Sequence, residues 1–194
     1  WDSPVVDKER VALTGHSRDG KAALCAAAFD ERFAAVIANG SGCGGAGSFY
    51  TVGSGSESLD TMLGAFPHWL SGTLLDLPAS LRRHVPVDMI FARALIAPRH
   101  VLLTEAEEDK WANPYGAYVN TVLAREICAF LGHDETVNGM TRRPGGHGQL
   151  DPDWRYLIEF LDCVFYGEAP QTDFNAEYFD TAWLALDWSV PERG

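Results

Sequence analysis

Basic residues are scarce in this chain. Fifteen Lys and Arg stand against 27 Asp and Glu, a formal net charge of −12 over 194 residues. A nucleic-acid backbone needs clustered cations, so this balance argues against such a partner. Long apolar runs are missing as well. None approaches the roughly 20 residues that cross a bilayer, and none reads as a signal peptide. Cysteine is sparse: the four residues at 25, 43, 128 and 163 include no Cys-x-x-Cys pair, which argues against a zinc or dithiol redox site. Cys25 and Cys128 fall on apolar helical patterns and read as buried thiols. Cys43 lies in a glycine loop and is the cysteine most able to pair. No internal repeat and no low-complexity linker interrupts the chain. The glycine-rich Ser41-Gly42-Cys43-Gly44-Gly45 lacks the Gly-Lys-Ser/Thr ending of a phosphate-binding loop.

What is present is an ordinary globular balance, 46% hydrophobic and 22% charged, at a length that suits one domain over 1–194. Arg10–Thr14 reads as a buried strand, Gly20–Phe29 as a small-residue helix and Phe33–Ala38 as a second strand, a βαβ unit with parallel strands. Further helices are expected over 58–66, 78–84, 87–95, 114–131 and 153–166, with strands at 100–104 and 139–143. The segment 105–113 reads as a carboxylate-rich loop and 144–148 as a loop tip. The aromatic tail over 167–194, with Phe174, Tyr178, Phe179, Trp183 and Trp188, is expected to pack back on the domain. Trp1–Asp7 resembles the end of a helix and a loop feeding a strand. A central strand needs neighbours on both sides, so the chain is expected to be the C-terminal portion of a longer α/β protein.

The chemistry centres on Gly15-His16-Ser17-Arg18-Asp19-Gly20. Strand, tight turn and helix put Ser17 at the apex with its hydroxyl exposed, as in a nucleophile elbow. The usual elbow glycine is displaced by one, since Asp19 stands where Gly-x-Ser-x-Gly would have glycine, so a purely structural turn stays open on this pattern alone. A serine nucleophile needs a base, and the base an orienting acid. In doubly wound hydrolases they follow in the order Ser, acid, His, each after a strand. The carboxylates Glu105, Glu107, Glu108 and Asp109 follow the third strand, with Asp109 the last before Trp111 and Pro114. His147 follows the last strand in a glycine-rich loop. Of the other histidines, His16 is expected to point away from Ser17. His84, His100 and His133 read as structural or solvated, and His68 as a candidate pocket residue.

Several motifs in order resemble the glucuronoyl esterases of carbohydrate esterase family 15, most closely their bacterial branch. They are Gly15-His16-Ser17-Arg18-Asp19-Gly20-Lys21, Asp30-Glu31-Arg32-Phe33, Ser41-Gly42-Cys43-Gly44-Gly45, Phe66-Pro67-His68-Trp69, Leu95-Ile96-Ala97-Pro98-Arg99, Glu107–Pro114 and Arg143-Pro144-Gly145-Gly146-His147. The resemblance runs from about residue 8 to 165. It implies the C-terminal part of an α/β-hydrolase, with a mostly parallel sheet and helices on both faces. It implies a serine esterase acting on esters of (4-O-methyl-)glucuronic acid, as in lignin–carbohydrate links of glucuronoxylan. Ser17 would be the nucleophile, His147 the base and Arg18 an oxyanion contact. Lys21, Glu57 and Trp111 would face the sugar, and Trp69 would be a pocket wall or a core filler. Many family members carry a glutamate just before the Ser-Gly-x-Gly-Gly loop. That position is Gly40 here, which leaves Asp109 as the acid. The resemblance further implies no metal or organic cofactor, no nucleic-acid or membrane partner, a monomer, and a secreted or periplasmic home. Two alternatives stay open: another carbohydrate esterase, such as an acetyl-xylan or cephalosporin-C type deacetylase, and an inactive carbohydrate-binding relative.

Overall fold

Four short strands lie side by side in the order in which the chain makes them. In the computed structural model β1 (Ala12–His16), β2 (Ala35–Asn39), β3 (His100–Ala106) and β4 (Asn138–Arg143) form one parallel sheet, β1-β2-β3-β4. Residues 3–82, 84–133 and 138–184 are described. Trp1, Asp2, Arg83, the end of the loop expected after Gly132, and Trp188 lie outside them. Parallel neighbours require crossover connections. Helix α1 (Arg18–Phe29) joins β1 to β2. The longer β2–β3 connection carries α2 (Leu59–Ala65), α3 (Gly72–Leu75), α4 (Ala79–Arg82) and α5 (Met89–Ile96). Helix α6 (Pro114–Phe130) joins β3 to β4, and α7 (Asp151–Tyr166) follows β4.

Alternation along the strands decides which helix covers which face. Val36, Ala38, Val101, Leu103 and Met140 pack with Leu24 of α1, Ile96 of α5 and Ala117 and Tyr118 of α6. Ile37 and Leu102 point the other way, against Leu157 and Phe160 of α7. Both faces of β2 and β3 are therefore buried, as in covered parallel sheets, whereas β1, expected to be buried, stays part-exposed with Thr14 open, since it borders the described sheet. Helix α1 packs closely because Ala23, Ala27 and Ala28 are small. Helix α6 opens with proline at its first position and Asn113 as cap, whose side chain accepts the Gly116 N–H at 3.1 Å.

Sheet pairing corrects several sequence-based bounds. β1 and β2 run on to His16 and Asn39, because the ladder Gly15↔Ala38 and His16↔Asn39 continues past the apolar residues. β3 likewise takes in Glu105 and Ala106, paired with Arg142 and Arg143, although that stretch reads as loop. Helix α1 begins at Arg18, directly after Ser17, and α7 at Asp151. Cys25 is exposed, not buried: Ala22–Phe29 is apolar without a break, so the pattern does not single out the inner face. Cys43 is free and fully buried against Leu59, Met62, Leu63 and Val85, with no thiol to meet. Burial pushes its thiol up to about 12.

Part of the described tail lies on the domain. Tyr178 and Phe179 lie against the α1/α5/α6 core and Phe174 against Phe160. The Phe174 carbonyl accepts the Met140 N–H at 2.9 Å.

Glu105 is the polar anomaly of this core. It is 1% exposed, and neither carboxyl oxygen has a hydrogen-bond partner among the described residues. Burial first, then the Asp109 and Asp153 carboxylates, hold its carboxyl well above the usual range. The folded state thus keeps a proton that the unfolded chain gives up, so stability falls as pH rises above the unfolded carboxyl's range, by up to about 1.4 kcal/mol per pH unit. Glu105→Gln is expected to remove this contribution. Urea denaturation at several pH values should show a flatter stability profile in the variant than in the parent.

Candidate active site

The site starts from a strained turn. Ser17 has φ 57° and ψ −126°, outside the ordinary regions for a residue with a side chain. Its N–H donates to the Asn39 carbonyl at 2.8 Å, and its carbonyl accepts the Gly20 N–H at 3.0 Å. The turn closes only because its flanks are bare. A Cβ on Gly15 would lie 2.3 Å from the backbone of Asp19, and one on Gly20 would lie 2.9 Å from the Gly15 carbonyl and from Ser41 Cβ. The displaced glycine at 20 is therefore required where α1 meets the Ser41 loop.

His147 reaches this serine from the loop after β4. Its Nε2 lies 3.0 Å from Ser17 Oγ, and its Nδ1 lies 2.6 Å from Asp109 Oδ2. Asp109 is buried, with a side chain 3% exposed, and its Oδ1 accepts the Ala112 N–H at 3.2 Å. Both oxygens are thus fixed. An ionised carboxylate accepts only, which puts the His147 proton on Nδ1 and leaves Nε2 to accept from the serine hydroxyl. The neighbouring carboxylates do not reach the histidine. Glu108 is exposed, and Glu107 turns outward to Arg142 at 3.3 Å. Gly40, at φ +49°, lies beside the Asp109–His147 pair. A Cβ there would stand 3.3 Å from Asp109 Oδ2, a tight approach, and in ordinary contact with His147 Nδ1 at 3.5 Å.

His16 corrects the expectation that it points away. Its ring lies 4.7 Å from that of His147. The register explains this: His16, Asn39 and Thr104 are neighbours across β1, β2 and β3, on the face over which the His147 loop folds. Asn39 Nδ2 donates to the Thr104 carbonyl at 3.1 Å and to its hydroxyl at 2.8 Å. Asn39 Oδ1 therefore faces His16 Nδ1, 2.6 Å away, and accepts its proton. A polar residue ending each of two adjacent strands was the sequence signal for this row.

These groups open into a cavity of about 480 Å³ lined by Arg18, Lys21, Glu57, Trp69, Trp111 and others. Trp111 is half-exposed there. Trp69 is both wall and filler: it lines the cavity, stacks on Phe66 at 4.0 Å and packs on the α2 cluster. His68 lies on the short turn Pro67–Trp69, exposed and outside the cavity lining. Arg18 is exposed in the first turn of α1, where N–H groups have no intrahelical acceptor and Ser17 gives no side-chain cap. Lys21 and Glu57 meet each other first. Lys21 Nζ donates at 2.6 Å to Glu57 Oε2 and to the carbonyls of Ser41 and Cys43. All three ammonium protons are committed, so Lys21 reaches a sugar only by exchanging one of these acceptors. A second cavity, of about 470 Å³, lies between α7 and 170–175 beside His100 at the start of β3, at the opposite end of the strands from the carboxyl ends where such sheets bind ligands.

Removing one partner of a buried ion pair leaves an uncompensated charge. The Lys21–Glu57 pair is 14% and 3% exposed, and Lys21→Met is expected to cost about 3–5 kcal/mol. Urea denaturation should detect this loss, and adding Glu57→Gln to the variant should recover part of it.

A family model described as "Glucuronyl esterase, fungi" matches residues 2–132. The carbohydrate esterase MZ0003 of an unknown prokaryotic organism is 36% identical over 179 residues, covering 84% of this chain and 40% of that protein. The 4-O-methyl-glucuronoyl methylesterase of Cerrena unicolor is 27% identical, covering 94% of this chain and 40% of that protein. The solved structure of a carbohydrate esterase family 15 glucuronoyl esterase from Caldicellulosiruptor kristjansonii superposes with a TM-score of 0.89 at 36% identity, covering 97% of this chain and 52% of that one. The chain thus spans about half, or less, of the length of these relatives. Its matched length and its agreement in fold lead to one assignment: the chain belongs to the glucuronoyl esterases of carbohydrate esterase family 15.

Proposed function

We propose that this protein is a serine esterase that hydrolyses esters of (4-O-methyl-)glucuronic acid, such as those joining lignin alcohols to glucuronoxylan. The observation that carries the reading is the unbroken hydrogen-bond chain Ser17–His147–Asp109, opening into a cavity that also presents Arg18, Lys21, Glu57 and Trp111. Family membership favours the uronate, and the Cerrena unicolor relative is named for such an ester.

In this reading Ser17 Oγ attacks the ester carbonyl while His147 Nε2 takes its proton. Asp109 holds the imidazole in the Nδ1–H tautomer and stabilises the imidazolium. Negative charge develops on the carbonyl oxygen at the N-terminus of α1, where the Arg18 N–H is free of intrahelical bonds and the helix dipole favours an anion. The exposed Arg18 guanidinium adds fixed positive charge there. His147 then returns the proton to the departing alcohol, and water, activated by the same histidine, releases the glucuronate. Trp111 offers an apolar wall to one face of the sugar. Glu57, which uses Oε2 for Lys21, has Oε1 left to accept from a sugar hydroxyl. A polymer-derived substrate is consistent with a secreted or periplasmic enzyme.

The test compares benzyl glucuronate with a simple acetyl ester. Turnover of the glucuronate ester well above that of the acetate is expected. A preference for acetate would point to a deacetylase, and glucuronoxylan binding without turnover to a binding protein. Ser17→Ala should abolish turnover, and Asp109→Asn should lower kcat by up to about 10⁴-fold through the wrong tautomer. Unchanged activity in Ser17→Ala sinks the reading.

A further inference from the structure

The base of this site stands on an intrinsically loose loop. Pro144-Gly145-Gly146-His147-Gly148 holds three glycines, and the His147 side chain is 39% exposed. The histidine is therefore not located by burial in a core. Two backbone bonds tie the loop's beginning to the segment after β3: Glu107 N–H to the Arg143 carbonyl at 2.9 Å, and Glu108 N–H to the Gly145 carbonyl at 3.0 Å. Beyond Gly145 the shape must come from elsewhere.

We propose that Arg143, clamped by Asp153, is the positioning residue that sets the His147 loop for catalysis. The proposal rests on the reading of Ser17, His147 and Asp109 as the reacting groups. Arg143 ends β4, and its side chain is 4% exposed. One edge of the guanidinium is fixed by Asp153, 1% exposed on the first turn of α7, with Nε donating to Oδ2 at 2.7 Å. The other donors point into the loop. Nη1 donates to the Pro144 carbonyl at 2.9 Å, and Nη2 donates to the Gly148 carbonyl and makes a long contact of 3.5 Å to the Gly146 carbonyl. Those last two flank His147 on either side. Asp153 Oδ2 also accepts the Leu150 N–H at 2.8 Å, so the same carboxylate holds the loop's far end. Gly145, at φ +99°, leaves room for this: a Cβ there would lie 3.2 Å from Nη1.

The arrangement needs the planar fork of arginine. A lysine ammonium is a point charge with no rigid spread of donors, so it cannot hold Asp153 and carbonyls on both sides of His147 together. Burying the pair brings little net stability. What the pair fixes is the distance of His147 from Ser17. A displacement on the order of 1 Å costs about 10²-fold in rate.

The test uses Arg143→Lys and Asp153→Asn, each checked for folding by circular dichroism. Two readouts are taken: hydrolysis of benzyl glucuronate, and labelling of Ser17 by diethyl p-nitrophenyl phosphate, which carries no sugar. Arg143→Lys is expected to lower kcat and the labelling rate together, each by about 10²-fold, with KM within about twofold of the parent. Asp153→Asn, which leaves the carbonyl bonds, should lose less on both. A folded Arg143→Lys that keeps both rates within about threefold overturns the proposal. So does a loss that merely follows the folded fraction, or a failure of both variants to fold, which makes the pair a determinant of the fold. A parent that is labelled at Ser17 but leaves benzyl glucuronate intact breaks the substrate reading alone, and labelling then still tests Arg143. A parent that does neither overturns both.

Discussion

The turn at Ser17 has to bring a strand and a helix into contact with no side chain between them. Everything at the site is measured from that closure. Glycine at 15 and 20 lets the backbone of Asp19 and the Ser41 loop approach within distances that a Cβ would block. The closure holds Ser17 at a positive φ, aims its hydroxyl away from the sheet, and leaves the first N–H groups of α1 facing the cavity. The same approach seats Lys21 against the carbonyls of Ser41 and Cys43. The position of Ser17, the helix terminus and the pocket floor are consequences of one steric fact.

The two groups linked to Ser17 by hydrogen bonds come from the loops after separate strands and are held in different ways. Asp109 is buried, and both its oxygens are engaged within its own loop and by His147. His147 is partly exposed and depends on backbone held from beneath and on the His16 ring beside it. A rigid carboxylate and a supported imidazole suit the proposed reaction, in which the imidazole accepts and returns a proton while the carboxylate stays still.

Much of this was legible in the sequence, for physical reasons. The elbow announces itself because a strand-to-helix reversal leaves few options at its glycines. Asp109 and His147 follow their strands in the expected order, and Gly40 offers no carboxylate beside them. The errors have equally local causes. Cys25 sits in the unbroken apolar run Ala22–Phe29, where apolar spacing carries no direction. His16 lies at the end of a strand, and simple alternation does not say that Asn39 and Thr104 stand in register with it on the face that His147 covers. Arg143 is an arginine in a strand, and only the fold shows that its fork spans the loop that follows. Lys21 and Glu57, 36 residues apart, look like independent sugar contacts until their 2.6 Å bond is seen.

The tail bond to Met140 carries a consequence of its own. β4 borders the four described strands, and the outer edge of a border strand offers unpaired N–H groups to any extended chain. Here the Phe174 carbonyl already occupies the Met140 N–H, the Tyr178 hydroxyl donates to the Met140 carbonyl at 3.4 Å, and Arg125 reaches across from α6 to the Phe174 carbonyl at 3.1 Å. A second molecule trying to lengthen the sheet at this border finds the middle of the strand taken. The strand that carries the His147 loop is thereby kept out of intermolecular β-pairing by its own downstream chain.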